Sequence, residues 1–202
     1  MSKIEYFYSA HSAYAYLGSA ALMKIAADAG REIEHRPVDL RRVVEAAGAG
    51  SFAKRSAGHR DYFFRREIDR WSEERNAPVM AGIPNHHAND IALCNGMLIA
   101  GLQAGLDINA LAHAMMQSHW RDDADLADRS TLAALARDLG LDPEPLLEAA
   151  LTPPVQETYA ANTAEAVARS VFGSPTYFVD GDMFYGQDRL AQVERALRQP
   201  YA

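Results

Sequence analysis

The 202-residue sequence contains a single cysteine, Cys94. A lone thiol closes no intramolecular disulfide, and no Cys/His cluster with zinc spacing accompanies it, so disulfide scaffolds and metal sites are excluded. Its neighbours Ala92 and Leu93 mark it as a small buried hydrophobe rather than a reactive thiol. No stretch reaches the ~18 apolar residues of a membrane span. The opening Met1-Ser2-Lys3-Ile4-Glu5-Tyr6 turns polar again at Glu5, where a signal peptide would keep an apolar run. A cytoplasmic location away from membranes is expected. Positive charge is also scarce, with 20 Lys and Arg against 27 Asp and Glu for a net charge of −7. That balance argues against a nucleic-acid-binding face. What remains is 49% hydrophobic and 23% charged, the composition of a folded globular protein with room for one domain or one domain carrying a large insertion.

Residues 3–8 are rich in aromatic and branched side chains and predict a strand. A helix is expected from Ala13 to Ala29: Ser12 stands at the N-cap, Leu17, Ala21, Ile25 and Ala29 recur at i+4 spacing, and Gly30 marks the stop. Alternation over 32–38 ahead of Pro37 predicts a second strand near a sheet edge. From Leu40 to about Phe172 only helical signals accumulate. Asp107 or Asn109 can open one helix, Ser130 can cap another that stops at Gly140, and Asp142-Pro143 opens a third. Trp71 and Trp120 in this region are expected in the core rather than against a cofactor. Near the end, Thr176 to Val179 and Asp182 to Tyr185 flank Asp180-Gly181, the strongest short-range signal for a two-residue hairpin, and a last helix is expected from about Asp188 to Leu197. The order β-α-β, helical insert, β-β-α is that of an α/β thioredoxin-like domain, 1–40 plus 172–202, interrupted by an all-helical insertion over 41–171.

In that fold the turn from first strand to first helix lies where helix amides point at a ligand. Here it holds no cysteine, so dithiol chemistry is excluded. A serine hydroxyl is a poor nucleophile without a base, whereas donating a hydrogen bond to an external thiolate is easier chemistry. Ser12 can equally be a plain helix cap, and the two roles can coexist. His11 is expected to be a turn residue or pocket wall rather than a base. Ser174-Pro175 is either an ordinary trans proline or a cis bond that exposes the Ser174 backbone to an extended, peptide-like ligand. Asp188 either binds a ligand amino group or, the safer local expectation, caps the last helix.

Taken together these residues resemble the 2-hydroxychromene-2-carboxylate isomerases and the related kappa-class glutathione transferases, in the DsbA-like branch of thioredoxin folds, over nearly the whole chain. The residues that carry the likeness are Ser12-Ala13-Tyr14-Ala15-Tyr16-Leu17, with Ala13 where the family has proline, Arg36-Pro37-Val38-Asp39-Leu40, Arg70-Trp71, Val171 to Thr176 and Asp180 to Leu190. The resemblance implies glutathione as cofactor, its sulfur at Ser12, its backbone against Ser174 and Pro175, and its γ-glutamyl end held by Tyr185, Gly186, Gln187 and Asp188 with Arg189 behind. Valine is common in the family at Ser174, a departure that backbone recognition should tolerate. Substrate contacts map onto Val44, Lys54, Arg55 and His86 or His87. Val44 and Lys54 depart from the family's lysine and asparagine, so the substrate can differ. Lys54 and Arg55 either fix a substrate carboxylate or form a solvated basic surface. The resemblance further implies an isomerase of an unsaturated aromatic keto acid that adds and expels the thiol reversibly, and a homodimer. A transferase or peroxidase, and a non-catalytic binding module, are the rival expectations.

Overall fold

The computed structural model describes residues 3–48 and 54–202. Four strands, β1 (Ile4–Tyr8), β2 (Ile33–Pro37), β3 (Thr176–Val179) and β4 (Asp182–Tyr185), form one sheet in the order β2-β1-β3-β4. β1 and β2 are parallel, and β1/β3 and β3/β4 are antiparallel. The Asp180-Gly181 turn has φ of 51° and 90°, the left-handed pair that a tight hairpin between twisted strands needs. The chain's two ends thus meet in one sheet, as the element order predicts.

Side chains alternate across this sheet. Ile4, Tyr6 and Tyr8 face the large core, while Phe7 and Phe178 face a second cluster with Val38, Val43, Ala166 and Val171. The first face carries α1 (Ala13–Asp28), α5 (Ala92–Gln103) and α6 (Asn109–Asp122). The second is covered by α2 (Leu40–Ala46) and α9 (Pro153–Ala168). Tyr6 stacks on Tyr8 with centroids 4.1 Å apart. Arg169 lies 3.7 Å over the Phe178 ring and is held by two hydrogen bonds to Glu5. The rest of the insert comprises α3 (Ala57–Asp61), a single wide turn over Tyr62–Arg66, α4 (Glu67–Arg75), α7 (Arg129–Asp138) and α8 (Pro143–Ala149).

Two local expectations are corrected. α7 is capped by Asp128, whose carboxylate accepts from the Ser130 and Thr131 amides; the shorter Ser130 side chain instead donates to Asp128. Asp188 makes no cap bond: it sits inside a 3₁₀ turn, Gln187–Arg189, ahead of α10 (Leu190–Arg198).

α5 passes so close to the end of α8 that a Cβ on Gly96 would meet the Ala150 carbonyl oxygen. Gly96→Ala is expected to cost about 1–3 kcal/mol of stability, read as a thermal midpoint lower by roughly 3–10 °C. Gly58→Ala on α3, which points into open space, should leave the midpoint unchanged or raise it.

Candidate functional site

The segment 9–12 joins β1 to α1, and most of its polar groups have identified partners. The Ser9 amide donates to Ser174 Oγ at 3.3 Å, and the Ala10 amide to Asn95 Oδ1 at 3.0 Å. The His11 carbonyl accepts from Trp120 Nε1 at 2.9 Å, and the Ser12 amide donates to the Ser9 carbonyl at 3.0 Å. Ser12, 5% exposed, caps α1 by accepting from the Ala15 amide at 3.3 Å and sends its own proton to the Ser174 carbonyl at 3.2 Å. The cap expectation holds. The same hydroxyl also faces the Ser174 backbone, from the opposite half of the chain.

Ser174-Pro175 is cis. The Ser174 side chain has a role that the family comparison of valine and serine does not suggest, since it accepts the Ser9 amide. A cleft of about 280 Å³ runs from Ser174 past Tyr185, Gly186, Gln187, Asp188 and Arg189, walled opposite by Tyr14 of α1 and by Tyr62, Phe63, Glu67 and Trp71 of the insert. The structure therefore gathers the residues of the C-terminal motif into one cavity with Ser174, the hydrogen-bond partner of Ser12. Trp71 is half-buried and lines this cavity, so it is only partly core, whereas Trp120 is fully buried. Arg75 stacks on Trp71 and donates to both the side-chain and backbone oxygens of Gln187 at 3.1 Å, locking the turn below the cavity. Burial raises the Tyr185 phenol above its ordinary value, with the Arg55 charge opposing and the Asp188 charge reinforcing. A larger hollow, about 770 Å³, follows the outer edge of β2 and includes none of these residues.

The other predicted contacts divide. Arg55 lies 5.3 Å from the Phe64 ring, and Lys54 is exposed. Val44 is half-buried on α2. No hydrogen bond joins these three to Ser12 among the described residues. His86 turns outward to Asp125, 3.6 Å away, whereas His87 turns inward: its ring lies 4.9 Å from His11 and its Nδ1 is 3.1 Å from His119 Nε2. Arg41 fixes the backbone of this segment by donating to the carbonyls of His87, Ala88 and Asn89. Sequence reading missed Asn95, His119 and Arg75. Asn95 left a trace, a polar residue inside the apolar run of α5, and such a residue is fully buried only when it is bonded. Cys94 is buried, its thiol pushed up to about 12 by burial, which makes it inert as a nucleophile.

A family model, described as the DSBA-like thioredoxin domain, matches residues 3–198. The chain belongs to this DSBA-like thioredoxin family. Among characterised relatives, the 2-hydroxychromene-2-carboxylate isomerase of Sphingobium xenophagum is 29% identical over 195 residues, covering 96% of this chain and 97% of that protein. The protein of the same name from Pseudomonas sp. (strain C18) is 27% identical, covering 96% and 89%. A solved structure of 2-hydroxychromene-2-carboxylate isomerase superposes with a TM-score of 0.79 at 24% identity, covering 97% of this chain and 94% of that one. The cytosolic disulfide reductase DsbM of Pseudomonas aeruginosa superposes at 0.64 with 19% identity, covering 98% and 93%, and shares the fold. No helix among the described residues of this DSBA-like chain is long and apolar enough to cross a membrane.

Burial, with His119 and Arg41 nearby, holds His87 down at about 4, and burial likewise lowers His11 and His119. Unfolded histidines titrate near pH 6.5. Above that pH neither state takes the proton, so stability is level. As pH falls from about 6.5 towards 4 the unfolded chain binds protons that the native chain refuses, and stability drops. Urea midpoints are expected to decline between pH 7 and pH 5, above the carboxylate range, and His87→Gln should flatten the decline. Equal midpoints at the two pH values would contradict this.

Proposed function

We propose that this chain is a glutathione-dependent isomerase acting on 2-hydroxychromene-2-carboxylate or a similar unsaturated aromatic keto acid. One observation carries the reading: a helix N-terminus without cysteine, whose cap hydroxyl faces the Ser174 backbone at the head of a cleft ending on the Asp188 carboxylate. A site on this fold that lacks its own thiol can take one from a ligand. The names of relatives aligned over nearly their whole length supply the reaction class.

The residues fit glutathione. The Ser174 carbonyl, now accepting the Ser12 proton, is the natural acceptor for the amide N–H of an extended peptide. Such a ligand would compete for that acceptor and free the Ser12 hydroxyl to turn to the sulfur. Asp188 pairs with Arg189 at 3.3 Å and stays partly exposed, with Glu67 on the facing wall of the cavity. Two carboxylates in one cavity suit the ammonium of a γ-glutamyl group. The cavity floor is formed so closely that a Cβ on Gly186 would run into the Asp188 carboxylate.

Glutathione, when bound, would supply a thiolate for reversible addition to the conjugated carbon of the substrate, with no net oxidation. Ser12 and the first amides of α1 hold the negative charge in place, because the helix end carries about half a positive charge. Arg55, half-buried beside Phe64, is the cation available for the substrate carboxylate.

Ser12→Ala should lower turnover and raise the pKa of bound glutathione by ~1 unit, the worth of one hydrogen bond to a charged group, followed by thiolate absorbance against pH. An unchanged pKa and rate would remove Ser12 from the reaction. Asp188→Asn should weaken glutathione binding by calorimetry with little effect on kcat. Trace glutathione should support many turnovers. Consumption in proportion to product would make the chain a transferase or peroxidase, and no thermal shift at millimolar glutathione would make it a non-catalytic module.

A further inference from the structure

His11, the residue before Ser12, lies in file with His87 and His119, with Trp120 edge-on to the last two at 5.2 and 5.9 Å. Their hydrogen bonds fix which nitrogen of each carries the proton. The Ala124 carbonyl can only accept, so His119 donates to it from Nδ1 at 2.9 Å and keeps a lone pair on Nε2. His87 must then donate from Nδ1 to that lone pair at 3.1 Å, which leaves its own Nε2 bare. On the other ring the logic runs in reverse. Asn95 Oδ1 takes the Ala10 amide, so the Asn95 NH₂ is what faces Ser9 Oγ, at 3.1 Å, and it cannot accept the Ser9 proton. Among the described residues the Ser9 proton has one acceptor in reach, His11 Nδ1 at 2.8 Å, so His11 carries its proton on Nε2.

Two adjacent rings therefore present opposite faces: His11 a fixed donor, His87 a fixed acceptor. No hydrogen bond joins the rings to each other, and neither Nε2 is among the sealed, unpaired polar atoms of the described residues. Burial keeps both rings uncharged near neutrality, so each acts as a dipole and not as an ion. We propose that His11 and His87 read an uncharged oxygen function of the organic substrate beside Ser12, His11 donating and His87 accepting, with His119 as the positioning residue that fixes His87 in its accepting tautomer. The inference rests on the isomerase reading above. A cyclic 2-hydroxy acid carries a hydroxyl, which needs an acceptor, and a ring oxygen, which needs a donor, on one carbon. The opened keto form needs only the donor. The pair thus suits the closed form fully and the open form by half. The histidines make and break no bond, and the substrate carboxylate is left to Arg55.

The test uses the full chain. In nitrogen-15 spectra of histidine-labelled protein at neutral pH, His87 and His119 should be protonated on Nδ1 and His11 on Nε2. His11→Phe and His87→Phe should each raise the KM for 2-hydroxychromene-2-carboxylate about tenfold, the worth of one neutral hydrogen bond, while glutathione affinity stays within about twofold. His119→Phe should move KM in the same direction, and His119→Gln, whose amide oxygen can accept from His87, should restore it. An unchanged KM in both Phe variants, a parallel loss of glutathione affinity, or His87 protonated on Nε2 would overturn the proposal. Wild-type protein that binds glutathione yet does not isomerise would sink the functional reading instead. In that case the pair stands or falls on whether 2-hydroxychromene-2-carboxylate, which carries both functions, shifts the Nε2 resonances of His11 and His87.

Discussion

Everything at this site depends on the hydrogen bonds that hold the short segment between the first strand and the first helix. Its Ser9, Ala10 and Ser12 amides, the His11 carbonyl and the Ser12 hydroxyl have named partners. The partners come from three separate parts of the chain: Ser174 from the C-terminal half of the sheet domain, Asn95 from α5 and Trp120 from α6. A buried amide or carbonyl left without its bond costs about 1–3 kcal/mol, so the position of Ser12 is set cooperatively by both halves of the domain and by the insert. The helix end is rigid because it is triangulated.

That arrangement does not require a cysteine at the helix end. The positive end of α1 and the Ser174 carbonyl facing it belong to the scaffold and do not depend on which residue caps the helix. With Cys94 sealed in the core and protonated, the chain itself offers no thiolate, and the same field is available to a ligand's sulfur. Next to Ser12 in sequence, His11 together with His87 adds polarity without charge, a pair of neutral dipoles able to orient an uncharged oxygen.

The fold was legible where local signals agree with the final packing. The β1 aromatics, the Ser12 cap, Asp142-Pro143 and the Asp180-Gly181 hairpin are each set by neighbouring residues, and each stands as read. The misreadings share one cause. Whether Ser130 or Asp128 caps α7, and whether Asp188 caps a helix or faces a cavity, turns on a side-chain length or a one-residue shift that tertiary contacts decide. The candidate site was half legible: the C-terminal motif assembled into one cavity with Ser174. Asn95, Trp120's bond to His11 and the His87 to His119 pair join residues tens of positions apart, and no periodicity encodes such contacts.

The central claim is that the head of α1 receives a sulfur from outside the chain and holds it as a thiolate. A crystal structure of the protein with glutathione tests it most directly. The account predicts the tripeptide extended along the Ser174 backbone, its amino group at Asp188 and its sulfur within hydrogen-bonding reach of Ser12 Oγ, with the serine proton turned from the Ser174 carbonyl towards it. Glutathione bound elsewhere, or seated in the cleft with its sulfur pointing away from Ser12, would contradict it.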